Sequence, residues 1–199
     1  MNYLALATVL TLSAAPALAQ EHRQLGAHQH GVGRLDIAFE GDRIALELHA
    51  PGADIVGFEH AAQSAEDRAA LDKAIAILEQ PLDLFVLPQA AGCTVTQANA
   101  RLADKDDHDH DDHDHDDHDH DHEGEEHAEA EDHGAEHSEV RAEYMLTCAD
   151  PAAVTRIDFA YFTIFPNAQE VEVQLVSDKG ARSFQVEREA PVLDLQGHI

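Results

Sequence analysis

Apolar and polar positions alternate along most of the chain after residue 30. Leu35, Ile37 and Phe39 face one way, Glu40-Gly41-Asp42 reads as a turn, and Ile44, Leu46 and Leu48 resume the pattern. A period of two on both sides of a turn predicts a hairpin with one buried face. A second hairpin follows from Val171, Val173 and Leu175, the turn Asp178-Lys179-Gly180, then Phe184 and Val186. The period lengthens only once. Ser64 with Asp67 three residues on resembles a helix N-cap box, and Leu71, Ala74, Ile75 and Leu78 mark one helical face that ends before Pro81. Leu84 to Leu87 reads as a short strand closed by Pro88, and Ile157 to Phe165 as a mostly apolar strand ending at Pro166. The expected fold class is α+β: mainly antiparallel β-sheet hairpins with one principal helix.

Two stretches stand outside this pattern. Residues 1–19 carry no charged side chain and end in Ala17-Leu18-Ala19, a small-x-small cleavage signal behind the apolar run Leu4 to Leu12. This reads as a secretory signal peptide cleaved after Ala19, although no Lys or Arg precedes the run. No other segment is long and apolar enough to span a bilayer, so no membrane insertion of the mature chain is expected. The expected layout is a signal peptide over 1–19 and a single α+β metal-binding domain over 20–199, interrupted by a loop at 104–139.

That loop is the second stretch. From Asp107 the sequence reads DHDHD three times at a period of five, then HEGEEHAEAEDHGAEHSE. It contains ten of the 16 histidines (His108, His110, His113, His115, His118, His120, His122, His127, His133 and His137), far too many for an incidental acidic linker. With no apolar residue between Lys105 and Ala128, it cannot bury enough surface to offset its ordering entropy, so disorder is expected without a ligand. The loop also holds 19 of the 40 acidic residues, which concentrates the net charge of −28 there. Such a chain repels nucleic acid and attracts cations. Imidazole nitrogen suits zinc, with copper or nickel possible, whereas calcium prefers oxygen. Pairs such as His108/His110 place two imidazoles within one ion's reach, and His133 and His137 would share one face of a helix. A flexible ligand set loses free energy on closing, so the tract reads as a collector rather than a selective site.

The histidines outside the tract are few, but two form an HxH pair. His28 and His30 point the same way in an extended chain and suit one ion. With one of His49 or His60, and Glu59 as an oxygen ligand, they form a candidate structured site; the alternative is that His49 and His60 are ordinary surface or capping histidines. Cleavage after Ala19 would also expose Gln20-Glu21-His22, whose free amine and His22 could wrap Cu²⁺ or Ni²⁺ unless the glutamine cyclises. Cys93 and Cys148 form an even pair, which in an oxidising compartment reads as a disulfide, the alternative being two separate buried thiols. If their strands pair with Cys93 opposite Cys148, Val95 falls opposite Leu146 and Gln97 opposite Tyr144. The tract then tips a long hairpin stapled at its base.

The segment HQHGVGRLDIAFEGDRIALELHAPGADIVGFEHAAQS, a helix, a His/Asp-rich insertion and TIFPNAQEVEVQLVSDKGARSFQV together resemble the ZrgA family of bacterial periplasmic zinc-binding proteins. The most specific pieces are His28-Gln29-His30-Gly31 with the following hairpin, and Gly57-Phe58-Glu59-His60. The resemblance implies a role assisting high-affinity zinc import in Gram-negative bacteria. The residues and the resemblance lead to one expectation: a periplasmic zinc-capturing metallochaperone or scavenger whose partner is a zinc importer or its periplasmic binding protein. Release could occur through acid or by direct ligand exchange. A periplasmic buffer against excess zinc, copper or nickel would use the same chemistry in the opposite physiological direction. No HExxH pair, nucleophile elbow or phosphate loop is present, so no enzyme activity is expected.

Overall fold

Three hairpins lie side by side in the main sheet. The computed structural model describes residues 29–103 and 138–199. The first hairpin joins β1 (Val32–Glu40) to β2 (Arg43–Pro51). Glu40 pairs with Arg43, so Gly41 and Asp42 form a two-residue loop, with Gly41 at φ +62° as such a turn requires. The second brings β4 (Cys93–Ala103) against β5 (Glu139–Cys148), and the third β7 (Glu170–Ser177) against β8 (Gly180–Glu187). The strand order is β4-β5-β2-β1-β7-β8. Both joins between hairpins depend on the first: β2 pairs antiparallel with β5, whereas β1 pairs with β7 in parallel. That parallel pair makes the sheet mixed.

Alternation decides which face is covered. Leu35 and Ile37, Ile44, Leu46 and Leu48, Val140, Tyr144 and Leu146, and Val171, Val173 and Leu175 all point to one side and are buried. Against them lie α2 (Ala65–Leu78), through Leu78, and a small sheet of β3 (Phe85–Val86), β6 (Arg156–Phe159) and β9 (Val192–Asp194), ordered β3-β6-β9. Phe85 joins the two layers, its ring 5.3 Å from Phe159, 6.0 Å from Tyr161 and 6.4 Å from Tyr144. The predicted cap of α2 forms a full capping box: Asp67 N–H donates to Ser64 Oγ at 2.9 Å, and Ser64 N–H to Asp67 Oδ2 at 3.1 Å.

Two predicted strands are shorter than expected. Leu84 closes the one-turn helix α3 (Pro81–Leu84), leaving Phe85 and Val86 as strand. The run Ile157 to Phe165 splits into β6 and a second one-turn helix, α4 (Tyr161–Ile164); a third, α1 (Gly52–Ile55), follows β2. A continuous apolar run carries no periodicity to separate strand from helix. Here Tyr161, Phe162 and Phe165 all reach the core from a helical turn. The guanidinium of Arg188 fixes that turn, donating to the carbonyls of Phe162, Pro166 and Ala168.

The Cys93–Cys148 disulfide is formed, and Val95 lies opposite Leu146 as expected. Beyond that point the register differs from the expectation. A bulge at Thr96 puts Gln97 opposite Met145 and Ala98 opposite Tyr144. One extra residue on β4 is enough to shift every later pair. The bridge closes one end of the β4/β5 ladder, and Ala103 pairs with Glu139 at the other. Ser138 and Glu139, at the end of the predicted insertion, belong to the folded part. Replacing both cysteines by serine should lower stability by about 2–4 kcal/mol. Urea unfolding in the presence of a chelator measures this, and an unchanged midpoint would mean that the ladder closes the loop without the bridge.

Candidate metal centre

The approach to β1 is held by backbone contacts on both sides of one glycine. Gly31 N–H donates to both carboxylate oxygens of Asp54, at 3.0 and 2.9 Å. Gly31 C=O accepts from Gln169 N–H at 2.7 Å and Glu170 N–H at 2.9 Å. Gly31 has φ +84°, and a Cβ there would meet Gln169 Cγ at 3.0 Å, so glycine is needed for both conformation and space. Asp54 lies in α1 and is only 4% exposed. Burial pushes its carboxyl up, with the Gly31 hydrogen bond and nearby His30 opposing that shift. Asn167 adds a tie to α1, donating to Ala53 C=O at 2.9 Å.

This framework places His30. Its Nδ1 lies 3.4 Å from Glu59 Oε1. Glu59 is reached by a turn at Gly57, where φ is +87°. Its own carbonyl accepts from Ser138 N–H at 3.3 Å, and Ser138 C=O accepts from Gly52 N–H at 2.8 Å. His60 stacks on Phe58 at 4.7 Å, with Nδ1 3.0 Å from Ala61 C=O. A carbonyl only accepts, so that nitrogen carries the proton and Nε2 keeps a lone pair suited to a metal. The structure therefore brings His30 and Glu59 together and orients His60 close by in sequence. His28, His22, residues 1–19 and the ten tract histidines lie outside the described residues.

His49 sits elsewhere. It projects from β2 onto the outer face of the main sheet, as its parity predicts, and belongs to a different cluster. Its Nε2 is 2.8 Å from Glu47 Oε1 and its Nδ1 3.1 Å from Glu139 Oε1. Arg141 Nε donates to the second oxygen of Glu139 at 2.9 Å. Burial alone would raise the Glu139 carboxyl, but hydrogen bonds from His49 and Arg141 outweigh it and pull the pKa down to about 2. The same bond to Glu139 is the main cause that raises His49, against desolvation and with help from Glu47. Among the described residues, Asp36, Glu47 and His49 form a group whose ligand atoms all lie within 4.8 Å of one another.

The two most specific sequence segments thus meet at one corner, HQHG at Gly31 and His30 and GFEH at Glu59, and NAQE joins them through Asn167, Gln169 and Glu170. The family described as ZrgA family zinc uptake protein matches residues 27–195. The chain belongs to the ZrgA family. Among curated proteins none matches. Membership supports a role in zinc uptake, and among the described residues no helix is long and apolar enough to cross a membrane.

Sequence reasoning passed over Asp36, Glu47, Asp54 and Glu139. The first two were within reach, because the Gly41-Asp42 turn sets Asp36 opposite Glu47 and Arg34 opposite His49. Glu139 and Asp54 depend on contacts between distant segments, which no local pattern contains.

Two outcomes follow for the zinc-free protein. Asp54→Ala would strand the buried Gly31 N–H and should cost about 1–3 kcal/mol in urea unfolding; no loss would show that Gly31 is held by residues 169–170 alone. The His49–Glu139 pair should also shape stability against pH. Glu139 is depressed from its ordinary 4.5, so its contribution is complete above that value and is lost as pH falls toward about 2. His49 is raised from 6.5, so its contribution is complete below 6.5 and is lost as pH climbs through its folded value. Stability measured from pH 2 to 9 in chelator should lose part of both limbs in Glu139→Gln; superimposable profiles would refute the coupling.

Proposed function

We propose that the protein captures zinc in the periplasm and assists its import, with a folded zinc site at the corner formed by His30 and Glu59. His28 and His60 complete the donor set. Signal-peptide export with cleavage after Ala19 puts the chain in that compartment, where a Cys93–Cys148 disulfide is stable. The observation that carries the reading is the convergence of HQHG, GFEH and NAQE on one rigid junction. Three sequence-distant segments thus hold the backbone from which one histidine and one carboxylate meet, and a metal site requires such a supporting shell.

The tract from His108 to His137 supplies capacity, and its root touches the corner, because Ser138 N–H is bonded to Glu59 C=O. Zinc collected on the tract would pass to the folded donors at that root. Ligand exchange moves the ion from tract to corner and on to an importer or its binding protein, a role that calls for no covalent chemistry on a substrate.

A competitive zinc titration of the mature chain against a version lacking residues 104–137 tests this. The deletion stops at 137 because Ser138 and Glu139 belong to the fold. The shortened protein should keep tight zinc, and His30→Ala with Glu59→Gln should remove one equivalent while far-ultraviolet circular dichroism stays unchanged. If that double variant titrates like its parent, the corner is not a zinc site. The titration repeated with copper and nickel sets the selectivity.

A further inference from the structure

The outer face of the main sheet carries a second donor set, which does not involve the corner. Cross-strand register places Asp36 opposite Glu47 in adjacent strands, and His49 follows Glu47 by two residues, so the three side chains stand on the same surface. The cluster is more than an acidic patch, because an imidazole is at its centre and its ring is oriented. Glu139, whose side chain is 14% exposed, faces His49 Nδ1 at 3.1 Å and is itself held by Arg141. A carboxylate on Nδ1 holds that nitrogen as a proton donor and turns Nε2 outward, where in the metal-free protein its N–H donates to Glu47 at 2.8 Å; a zinc ion bound there takes the place of that proton. This carboxylate–histidine arrangement is the one that orients imidazole ligands to zinc.

We infer that His49 Nε2, Glu47 and Asp36 form a second zinc site on the sheet's outer face, with Glu139 as the positioning residue for His49. One nitrogen and two carboxylate oxygens make a three-ligand set, and the fourth position opens onto the solvent groove that Asp36 and Glu47 line. Donors about 2.1 Å from one ion in a tetrahedron lie about 3.4 Å apart, so a separation of up to 4.8 Å closes through small side-chain rotations. Asp36 and Glu47, with side chains 31% and 48% exposed, have room for them. Arg34 is the competitor, since it holds both oxygens of Asp36 at 2.7 and 3.0 Å. An ion here shares Asp36 with that guanidinium, which makes the site weaker than a dedicated cage. The open fourth position admits an incoming ligand, so zinc can leave by exchange.

Crystals of the full mature chain grown with zinc, with diffraction recorded on both sides of the zinc absorption edge, locate the ion independently of the tract. An anomalous peak is expected within bonding distance of His49 Nε2. In competitive titration of the full chain, His49→Ala should lose one equivalent of zinc. Glu139→Gln should retain that equivalent with affinity reduced about 10- to 100-fold. Arg34→Gln should tighten it by freeing Asp36. Glu139→Gln and Arg34→Gln keep the test valid if His49→Ala fails to fold, because they move zinc affinity in opposite directions while a purely structural ion-pair lattice moves neither. Absence of the peak, together with titrations of Glu139→Gln and Arg34→Gln that overlay the parent, would overturn the proposal. Because His30→Ala with Glu59→Gln leaves this equivalent in place, failure at either site is read separately from the other.

Discussion

The arrangement of the molecule depends on the backbone of Gly31. Its N–H is held by the buried carboxylate of Asp54, and its C=O receives two N–H groups from the start of β7. The second contact begins the parallel β1/β7 pairing, which runs from Val32 opposite Glu170 to Ala38 opposite Val176. The first contact ties the same point to α1 and so to the end of β2. A parallel strand pair lacks the tight turn that fixes register in a hairpin, so something else must set where it starts. Here that role falls to one left-handed glycine and the carboxylate that caps it. The residue just before it is His30, so the point that sets the register of the sheet also sets where His30 meets Glu59.

Electrostatics explains why the folded part carries so much apposed charge. On the outer face, β5, β2, β1 and β7 present Arg141, His49, Arg34 and Glu172 in one row and Glu143, Glu47, Asp36 and Gln174 in the next. Rows of opposite character neutralise one another in a chain whose net charge is −28. Such pairs are worth little where fully exposed. Around His49 the side chains are less exposed, and hydrogen bonds from His49 and Arg141 hold the Glu139 carboxyl well below its ordinary range. A lattice that is merely neutralising would not need a carboxylate on each nitrogen of one imidazole.

The hairpins, the capped helix and the Cys93–Cys148 pairing were legible because each is encoded locally, by a period, a cap box or matching strand parity. The parallel β1/β7 pair was not, since nothing in either strand names its neighbour. The Thr96 bulge was likewise silent, because a single extra residue leaves alternation intact on both sides of it. Tyr161 to Phe165 misled for the opposite reason: an all-apolar run fits strand and helix alike. Within the candidate centre, the pairing of His30 with Glu59 was anticipated from chemistry alone. His49 alternates with Leu46 and Leu48 and so stands on the polar face, but its companions from β1 and β5 lie on other strands, and the β5 contribution becomes visible only once β2 and β5 are known to pair.

The last residues before β5 settles into the sheet connect these observations. A strand sends successive residues to opposite faces. Ser138 turns inward, bonding through its backbone to Glu59 and Gly52, whereas Glu139 turns outward to His49. Both follow directly on the histidine-rich tract in sequence. Two consecutive residues thus touch both clusters, Ser138 through the Glu59 carbonyl and Glu139 through His49. The geometry asks for close packing at that root, since a Cβ on Gly52 would lie 2.2 Å from Ser138 Oγ. Under the proposed zinc-capturing role, an ion leaving a ligand-rich but unselective tract would meet the ordered imidazole and carboxylate groups beside this root before it met bulk solvent.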